Sequence, residues 1–191
     1  MKAKVFFNHQ IAPTYFQMGI YCPEIARKAK PGQFVMVKVR EGIDPLLRRP
    51  FSFYRIHKKE IEIIYELVGR GTQMMSEMEK GEEIDLLCPL GNGFMIRKGI
   101  KKAVLVAGGI GIAPLFALAE MLRRKADITF YLGAKSASGL LRIGESKVLG
   151  KVVVATEDGS IGLRGTVTDL IERDVKTSDP LLHLFSCGPH L

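Results

Sequence analysis

One junction limits the fold more than any other feature. Ala103-Val104-Leu105-Val106-Ala107 is an unbroken apolar run that passes straight into Gly108-Gly109-Ile110-Gly111-Ile112-Ala113-Pro114. Leu115, Leu118, Ala119 and Leu122 then recur at helical spacing, and Arg123-Arg124-Lys125 places cations where a helix C-terminus favours them. A strand that is apolar on both faces belongs in a parallel sheet covered by helices on either side. Further strands are expected at 128–132, 151–155 and 182–186, and a helix from about 167 to 171. Strand–helix alternation of this kind predicts a doubly wound α/β domain, here over residues 99–191.

Before this junction the rhythm is different. Residues 33–40 alternate, with Val35, Val37 and Val39 on one face and Phe34, Met36, Lys38 and Arg40 on the other. Segments 52–56, 60–68 and 83–87 are rich in Ile, Val, Phe and Tyr, and Pro31-Gly32, Gly81 and Gly91-Asn92-Gly93 supply turns between strands. Short strands with tight connections predict a small antiparallel β-barrel over residues 1–98, so that the fold class is β followed by α/β. One inserted helix is expected at 72–78, with Thr72 as its cap. The start, Met1-Lys2-Ala3-Lys4, leads into a short alternating segment and has no cleavable signal pattern.

Composition removes several classes of function. The 191 residues suffice for two small domains, and 47% hydrophobic with 25% charged residues is ordinary for a globular protein. No apolar run approaches the ~20 residues that span a bilayer, so no membrane is expected and the cytoplasm is the default location. The net charge of +8 is scattered over short groups such as Arg48-Arg49, Lys58-Lys59 and Lys101-Lys102, not gathered among aromatic residues. It describes a solvated basic surface with some pull on anionic dinucleotides or an acidic partner, and no nucleic acid is expected. Three cysteines, Cys22, Cys88 and Cys187, lie far apart without C-x-x-C spacing, which gives no metal site and no disulfide framework.

The turn 108–114 has the chemistry of a nucleotide site. Gly109 and Gly111 would let the backbone turn sharply and approach a ligand, Gly108 opens the turn, and Pro114 fits the first helical turn, where its missing N–H costs nothing. The N–H groups of that helix end could face a pyrophosphate. Pro114 stands where the usual fingerprint has a third glycine, and such a turn is also an ordinary tight connection. Three more segments fall at carboxyl ends of expected strands: Gly133-Ala134-Lys135, Thr156-Glu157-Asp158-Gly159-Ser160 and Cys187-Gly188-Pro189. In open α/β sheets the ligand crevice lies there. In the first domain, Arg49-Pro50-Phe51-Ser52 joins a cation, a rigid turn, an aromatic ring and a hydroxyl, and Tyr65 and Gly69-Arg70-Gly71-Thr72 add a second possible phosphate cradle.

Arg49-Pro50-Phe51-Ser52 resembles the R-x-[YF]-S flavin motif of ferredoxin-reductase-like flavoproteins. Pro31-Gly32-Gln33-Phe34-Val35, the turn 108–114 and Cys187-Gly188-Pro189 match that superfamily in order and spacing. Val68-Gly69-Arg70-Gly71-Thr72, Leu90-Gly91-Asn92-Gly93-Phe94 and Thr156-Glu157-Asp158-Gly159-Ser160-Ile161-Gly162 are similar to segments of the electron-transfer subunits of NAD-dependent dihydroorotate dehydrogenases. Sulfhydrogenase and ferredoxin-NADP oxidoreductase subunits stand close behind.

The resemblance implies FAD in the barrel and NAD(P)H in the second domain, with electrons passed on to a dihydroorotate-oxidising catalytic subunit in a hetero-oligomer. It implies that Arg49 and Pro50 meet the FAD diphosphate, that Phe51 lies beside the flavin and that Ser52 reaches its N5 region. Ile64, Tyr65 and Glu66 would line the cofactor, and Gly71 and Thr72 would bind its diphosphate. Gly108, Gly109, Gly111 and Pro114 would admit the pyridine nucleotide, with Asp158 near its ribose and Gly188 and Pro189 beside Cys187. Cys187 would lie where nicotinamide and flavin meet, and Ser52 and Cys187 are the residues nearest the chemistry. Glu157 and Asp158 lean toward NADH and Lys135 against it, which leaves the nucleotide open.

The family also carries a cysteine-rich tail that binds a [2Fe–2S] cluster. Those cysteines are absent here, the sequence stops two residues after Pro189, and the second domain is expected to be truncated. Two alternatives therefore stand beside the main expectation: a sulfhydrogenase or ferredoxin-NADP oxidoreductase type of subunit, and a regulatory module that binds nucleotide without turnover.

Overall fold

A computed structural model describes residues 1–40, 42, 44–175 and 181–188. The chain forms two compact units, Met1–Phe94 and Met95–Leu191.

The first unit is a closed six-stranded barrel of antiparallel pairs, in the order β1-β2-β5-β4-β3-β6. Its strands are β1 (Lys2–Ala12), β2 (Tyr15–Tyr21), β3 (Phe34–Lys38), β4 (Arg49–Ile56), β5 (Glu60–Glu66) and β6 (Glu83–Leu90). Alternate residues fill the interior. Val5, Met18, Ile20, Val35, Val37, Phe53, Ile61, Ile63, Tyr65, Ile84 and Leu86 are all at most 1% exposed, as the period of two requires in a barrel with a dry core. A short helix α1 (Pro23–Ala26) adds Ile25 and Ala26 to this core, and α2 (Arg70–Ser76) adds Met75.

Two sequence expectations change here. The start of the chain is no short segment but a long hairpin of 11-residue and 7-residue strands. The inserted helix begins at Arg70, so Thr72 is its third residue and not its cap. Thr72 Oγ1 still serves the helix start: it accepts from the Val68 and Gly69 N–H groups at 3.0 and 3.3 Å and donates to the Gly69 carbonyl at 3.0 Å.

The second unit is a five-stranded parallel sheet in the order β10-β9-β8-β7-β11. Its strands are β7 (Lys102–Gly108), β8 (Asp127–Ala134), β9 (Lys151–Thr156), β10 (Leu163–Arg164) and β11 (Leu182–Cys187). α3 (Ile112–Leu122) packs on β7, β8 and β11 and touches α4 (Ile143–Leu149), while α5 (Val167–Asp174) packs on β7, β8 and β9. Val104, Tyr131, Ala155 and Leu170 make the core under α5. The apolar run 103–107 is thus the strand between β8 and β11, which is why it needs apolar residues on both faces. α3 is more enclosed than an amphipathic helix, since every residue from 111 to 119 is buried. α1, α4 and β10 went unread in the sequence. α4 follows Arg142 in a left-handed conformation (φ 57°) and carries Gly144 and Ser146, so it offers little helical periodicity. Among the described residues no helix is long and apolar enough to cross a membrane.

Candidate functional site

In the barrel, register places the motif 49–52 opposite β3: Arg49 pairs with Val37, Pro50 with Met36, Phe51 with Val35 and Ser52 with Phe34. Arg49 and Phe51 therefore take the side of the strand that faces the core residues Val35 and Val37, and Pro50 and Ser52 take the other. The Arg49 guanidinium lies directly on the backbone of Gly71 in α2. A Cβ at Gly71 would stand 2.6 Å from Arg49 Cζ and 2.8 Å from Nη2. Only a glycine lets the cation rest there, and Arg49 is fixed further by donating to the Leu47 carbonyl. Arg70 pairs with Asp44 at 2.5 Å, but both are about two-thirds exposed, so the pair adds little to stability. Among the described residues no hydrogen bond occupies the Ser52 hydroxyl.

Ile64, Tyr65 and Glu66 divide by strand parity. Tyr65 points into the barrel with no exposure, its ring 5.6 Å from Phe16 and 5.8 Å from half-buried Phe51. Its hydroxyl donates to Asn8 Oδ1 at 2.9 Å, and burial holds its pKa well above the ordinary phenol value. The Tyr65 side chain is therefore part of the barrel core. Ile64 and Glu66 take the outer side, Ile64 at 2% exposure and Glu66 only partly covered.

In the second unit the sheet register brings the carboxyl ends of four strands to one edge. Gly108 pairs with Gly133, Ala134 with Thr156 and Cys187 with Ala107. The glycines meet there backbone to backbone. A Cβ on Gly111 would lie 2.5 Å from the Cys187 carbonyl carbon and 2.9 Å from Gly188 Cα, and one on Gly188 would lie 3.0 Å from Gly108 N. Gly111 is thus required by its protein neighbour, a reason for glycine there that the sequence did not show. Gly109 differs: its φ is +50° and a Cβ there would meet nothing within 4 Å. Pro114, the third residue of α3, is buried. Pro189 lies outside the described residues.

The loop after β9 is built on Thr156. Its carbonyl accepts from the Gly159 and Gly165 N–H groups, each at 3.0 Å, and its hydroxyl bonds both backbone groups of Ile161. Asp158 Oδ1 accepts from Ser160 Oγ at 2.6 Å and from Ser160 N–H at 2.9 Å, and these bonds lower its pKa. Ser160 Oγ in turn accepts from the Ala137 N–H at 2.8 Å, which ties this loop to the one after β8. The sequence pointed to Asp158 but not to Ser160 or Thr156 as its support; the D-G-S triplet, which favours a side chain bonded two residues on, was the signal.

Cys187 is half-buried and burial raises its pKa, so its thiol is neutral near pH 7. Burial likewise pushes Cys22 up to about 12 and Cys88 up to about 11. Three cysteines do not make the four-cysteine set of an iron–sulfur cluster, and no metal-binding cluster occurs among the described residues. The dinucleotide is another matter: a cation on the bare backbone of Gly71 in the barrel, and in the sheet a glycine turn at 108–111 with no side chain above Gly109, are the kind of surface that fits one.

Comparison with known proteins decides the family. The electron transfer subunit of dihydroorotate dehydrogenase B (NAD(+)) from Desulforamulus reducens is 38% identical over 191 residues, 98% of this chain and 72% of that protein. The chain belongs to this family. The same subunit from Geobacillus sp. (strain WCH70) is 44% identical over 184 residues, which cover 94% of this chain and 70% of that one. No family model matches. Among solved structures, an NADH-dependent reduced ferredoxin-NADP oxidoreductase matches 98% of this chain and 67% of its own, with TM-score 0.84 and 28% identity. A ferredoxin NADP+ reductase from Neisseria gonorrhoeae, solved with bound FAD and NADP, shares the fold at TM-score 0.82 and 20% identity, over 98% of this chain and 85% of its own. The barrel and parallel sheet of these electron transfer subunits are therefore those of the ferredoxin reductases.

Proposed function

We propose that the chain passes electrons between NAD(H) and a protein partner through FAD, as the electron transfer subunit of a dihydroorotate dehydrogenase in pyrimidine synthesis. The observation that carries this reading is the Arg49 guanidinium resting on Gly71, beside Thr72: a fixed cation over bare backbone suits a diphosphate. Residues 1–98 hold FAD in this reading and residues 99–191 take the pyridine nucleotide. When bound, FAD supplies the redox chemistry, taking a hydride from the nicotinamide and giving up electrons to the partner. The protein's own residues bind and orient. Arg49 neutralises the diphosphate, and Ser52 offers its free hydroxyl to the N5 edge of the ring. Cys187, being neutral, sets a small polar group beside the nicotinamide without adding charge. Gly109 leaves the strand ends open for the nucleotide's backbone.

Asp158, kept ionised by Ser160, and Glu157 oppose a 2′-phosphate, which favours NAD(H) over NADP(H). The partner is a dihydroorotate-oxidising subunit in a hetero-oligomer, in the cytoplasm where the pyridine nucleotide pool is. No step is assigned to a [2Fe–2S] cluster, because the three cysteines do not fit one. The likeness to a ferredoxin-NADP oxidoreductase at 28% identity supports a second reading, in which the partner is a ferredoxin.

An absorbance spectrum of the purified protein before and after anaerobic NADH tests the first reading. Flavin bands near ~450 nm should bleach with NADH well below the NADPH concentration needed. A colourless protein that takes up no added FAD, or a bound flavin that neither nucleotide reduces, refutes it. Passage of the flavin's electrons to added ferredoxin, with none to a dihydroorotate-oxidising subunit, selects the second reading.

A further inference from the structure

Asn8, in β1, makes contacts that the proposed flavin site does not explain. Its Nδ2 donates to the Met75 carbonyl at 2.8 Å and the Met78 carbonyl at 3.0 Å, with a longer bond to the Ser76 carbonyl at 3.4 Å. Its Oδ1 accepts from Tyr65. The orientation of the amide is forced, because carbonyl oxygens only accept and so must face the nitrogen. The end of a helix leaves carbonyls short of partners. Here the Met75 carbonyl already accepts from the Met78 N–H at 3.1 Å, and one side chain from a distant strand adds a second bond to it and takes up the Met78 carbonyl just past the helix.

α2 has 7 residues, too few to be stable alone, so contacts with the barrel decide where it lies. Two are visible. Met75 is buried in the barrel core, and Asn8 holds the carbonyls around it. Gly71 is one turn before Met75 and so on the same face of the helix. That face carries the Arg49 contact, which has no room for even a methyl group. A slide or rotation of α2 by an ångström would push the Arg49 guanidinium off its seat on the Gly71 backbone or open a gap beneath it. The other arm of Asn8 leads through the Tyr65 hydroxyl to a ring in contact with Phe51.

We propose that Asn8 is a positioning residue for FAD, fixing at once the helix that meets Arg49 and the Tyr65–Phe51 pair. It touches no ligand itself. This rests on the reading of residues 49–52, 71 and 72 as the flavin site. Asn8→Leu keeps the size of the side chain and removes every one of these bonds, whereas Tyr65→Phe removes only one arm.

The test titrates apoprotein with FAD, following flavin fluorescence, at a temperature where far-UV circular dichroism shows each variant folded. Ile61→Val serves as a control, since it loosens the barrel core without touching Asn8, α2 or Arg49. Asn8→Leu should raise the FAD Kd about tenfold or more, Tyr65→Phe about threefold, and Ile61→Val less than twofold, a tenfold change being about 1.4 kcal/mol. If Asn8→Leu does not fold, Tyr65→Phe against Ile61→Val carries the test. An FAD Kd within twofold of wild type in the folded Asn8→Leu, or an equal rise in Ile61→Val, overturns the proposal. Wild-type protein that binds no FAD overturns the underlying reading instead.

Discussion

Two glycines in one turn, Gly109 and Gly111, should fail in opposite ways when changed to alanine. Gly111 has φ −59° and ψ −12°, ordinary right-handed backbone at the N-cap of α3, so alanine meets no backbone strain there and gains nothing as a helix residue. Its new Cβ, however, would stand 2.5 Å from the Cys187 carbonyl carbon and 2.9 Å from Gly188 Cα, where ordinary contact begins near 3.4 Å. Both neighbours are backbone at the end of β11, whose six residues are paired with β7 from Leu182 to Cys187. Relief therefore means pulling the strand end from the sheet. Overpacking of this kind costs ~1–3 kcal/mol, and for a unit of this size each kcal/mol lowers Tm by roughly 4–8 °C. Gly111→Ala should thus lower the melting temperature of the second unit by about 10 °C in differential scanning calorimetry. Gly109 has φ +50°, so alanine there costs ~1–2 kcal/mol of backbone strain, but its Cβ meets no protein atom. Gly109→Ala should be the more stable variant and the poorer NADH binder, because its methyl group enters the open space that the proposed reading gives to the nucleotide. A Gly111→Ala protein that melts at the wild-type temperature would refute the argument, as would a Gly109→Ala protein that melts below Gly111→Ala.

Gly71→Ala should lift Arg49 off α2 and raise the FAD Kd about tenfold by fluorescence titration, with Tm unchanged or higher because alanine is the better helix residue. A second prediction concerns acid. Burial pushes the Asp85 pKa up, but hydrogen bonds from Arg48 at 2.5 Å and from the N-terminal ammonium at 3.1 Å outweigh it and leave the pKa low. A depressed carboxyl pKa stabilises the fold fully above the unfolded value of ~3.9 and loses that contribution as pH falls through the lower folded value. Asp85→Asn should remove ~1–3 kcal/mol at pH 7 in urea unfolding and flatten the loss of stability below about pH 4; an unchanged acid slope counts against the pairing.

What could be read in the sequence was whatever depends on near neighbours. Val35 and Val37 line the barrel because alternation alone decides which face a strand buries, and the run 103–107 is an inner strand because no other place tolerates it. The same rule, applied to Ile61, Ile63 and Tyr65, turns Tyr65 inward with them. Contacts between distant segments left no local trace. Asn8 meets Tyr65 and Met75 across 57 and 67 residues, and an asparagine in a polar strand carries no mark of either bond. Gly111 is a subtler case. A glycine reports that something comes close to the backbone, not whether it is a ligand or the next strand.

Strand parity also bears on what the first unit can bind. Arg49 and Phe51 share the side of β4 that faces Val35 and Val37, whereas Ser52 and Pro50 face away from the core. A small anion could satisfy Arg49 and never reach Ser52. A ligand that meets both must be long, carry negative charge where it crosses Arg49 and α2, and bend round the start of β4 to present a polar ring edge to Ser52. The riboflavin phosphate half of a flavin nucleotide already has that form, with a polar ring edge at one end of the ribityl chain and a phosphate at the other. A dinucleotide has its diphosphate in the middle and a ring at each end, so its charge falls on the cation while one ring still reaches the outer face. In the proposed reading the R-P-F-S order sets the phosphate at the cation and the ring edge at the hydroxyl three residues on, on the opposite face of β4, and the second phosphate and adenosine of FAD fall to α2 and beyond.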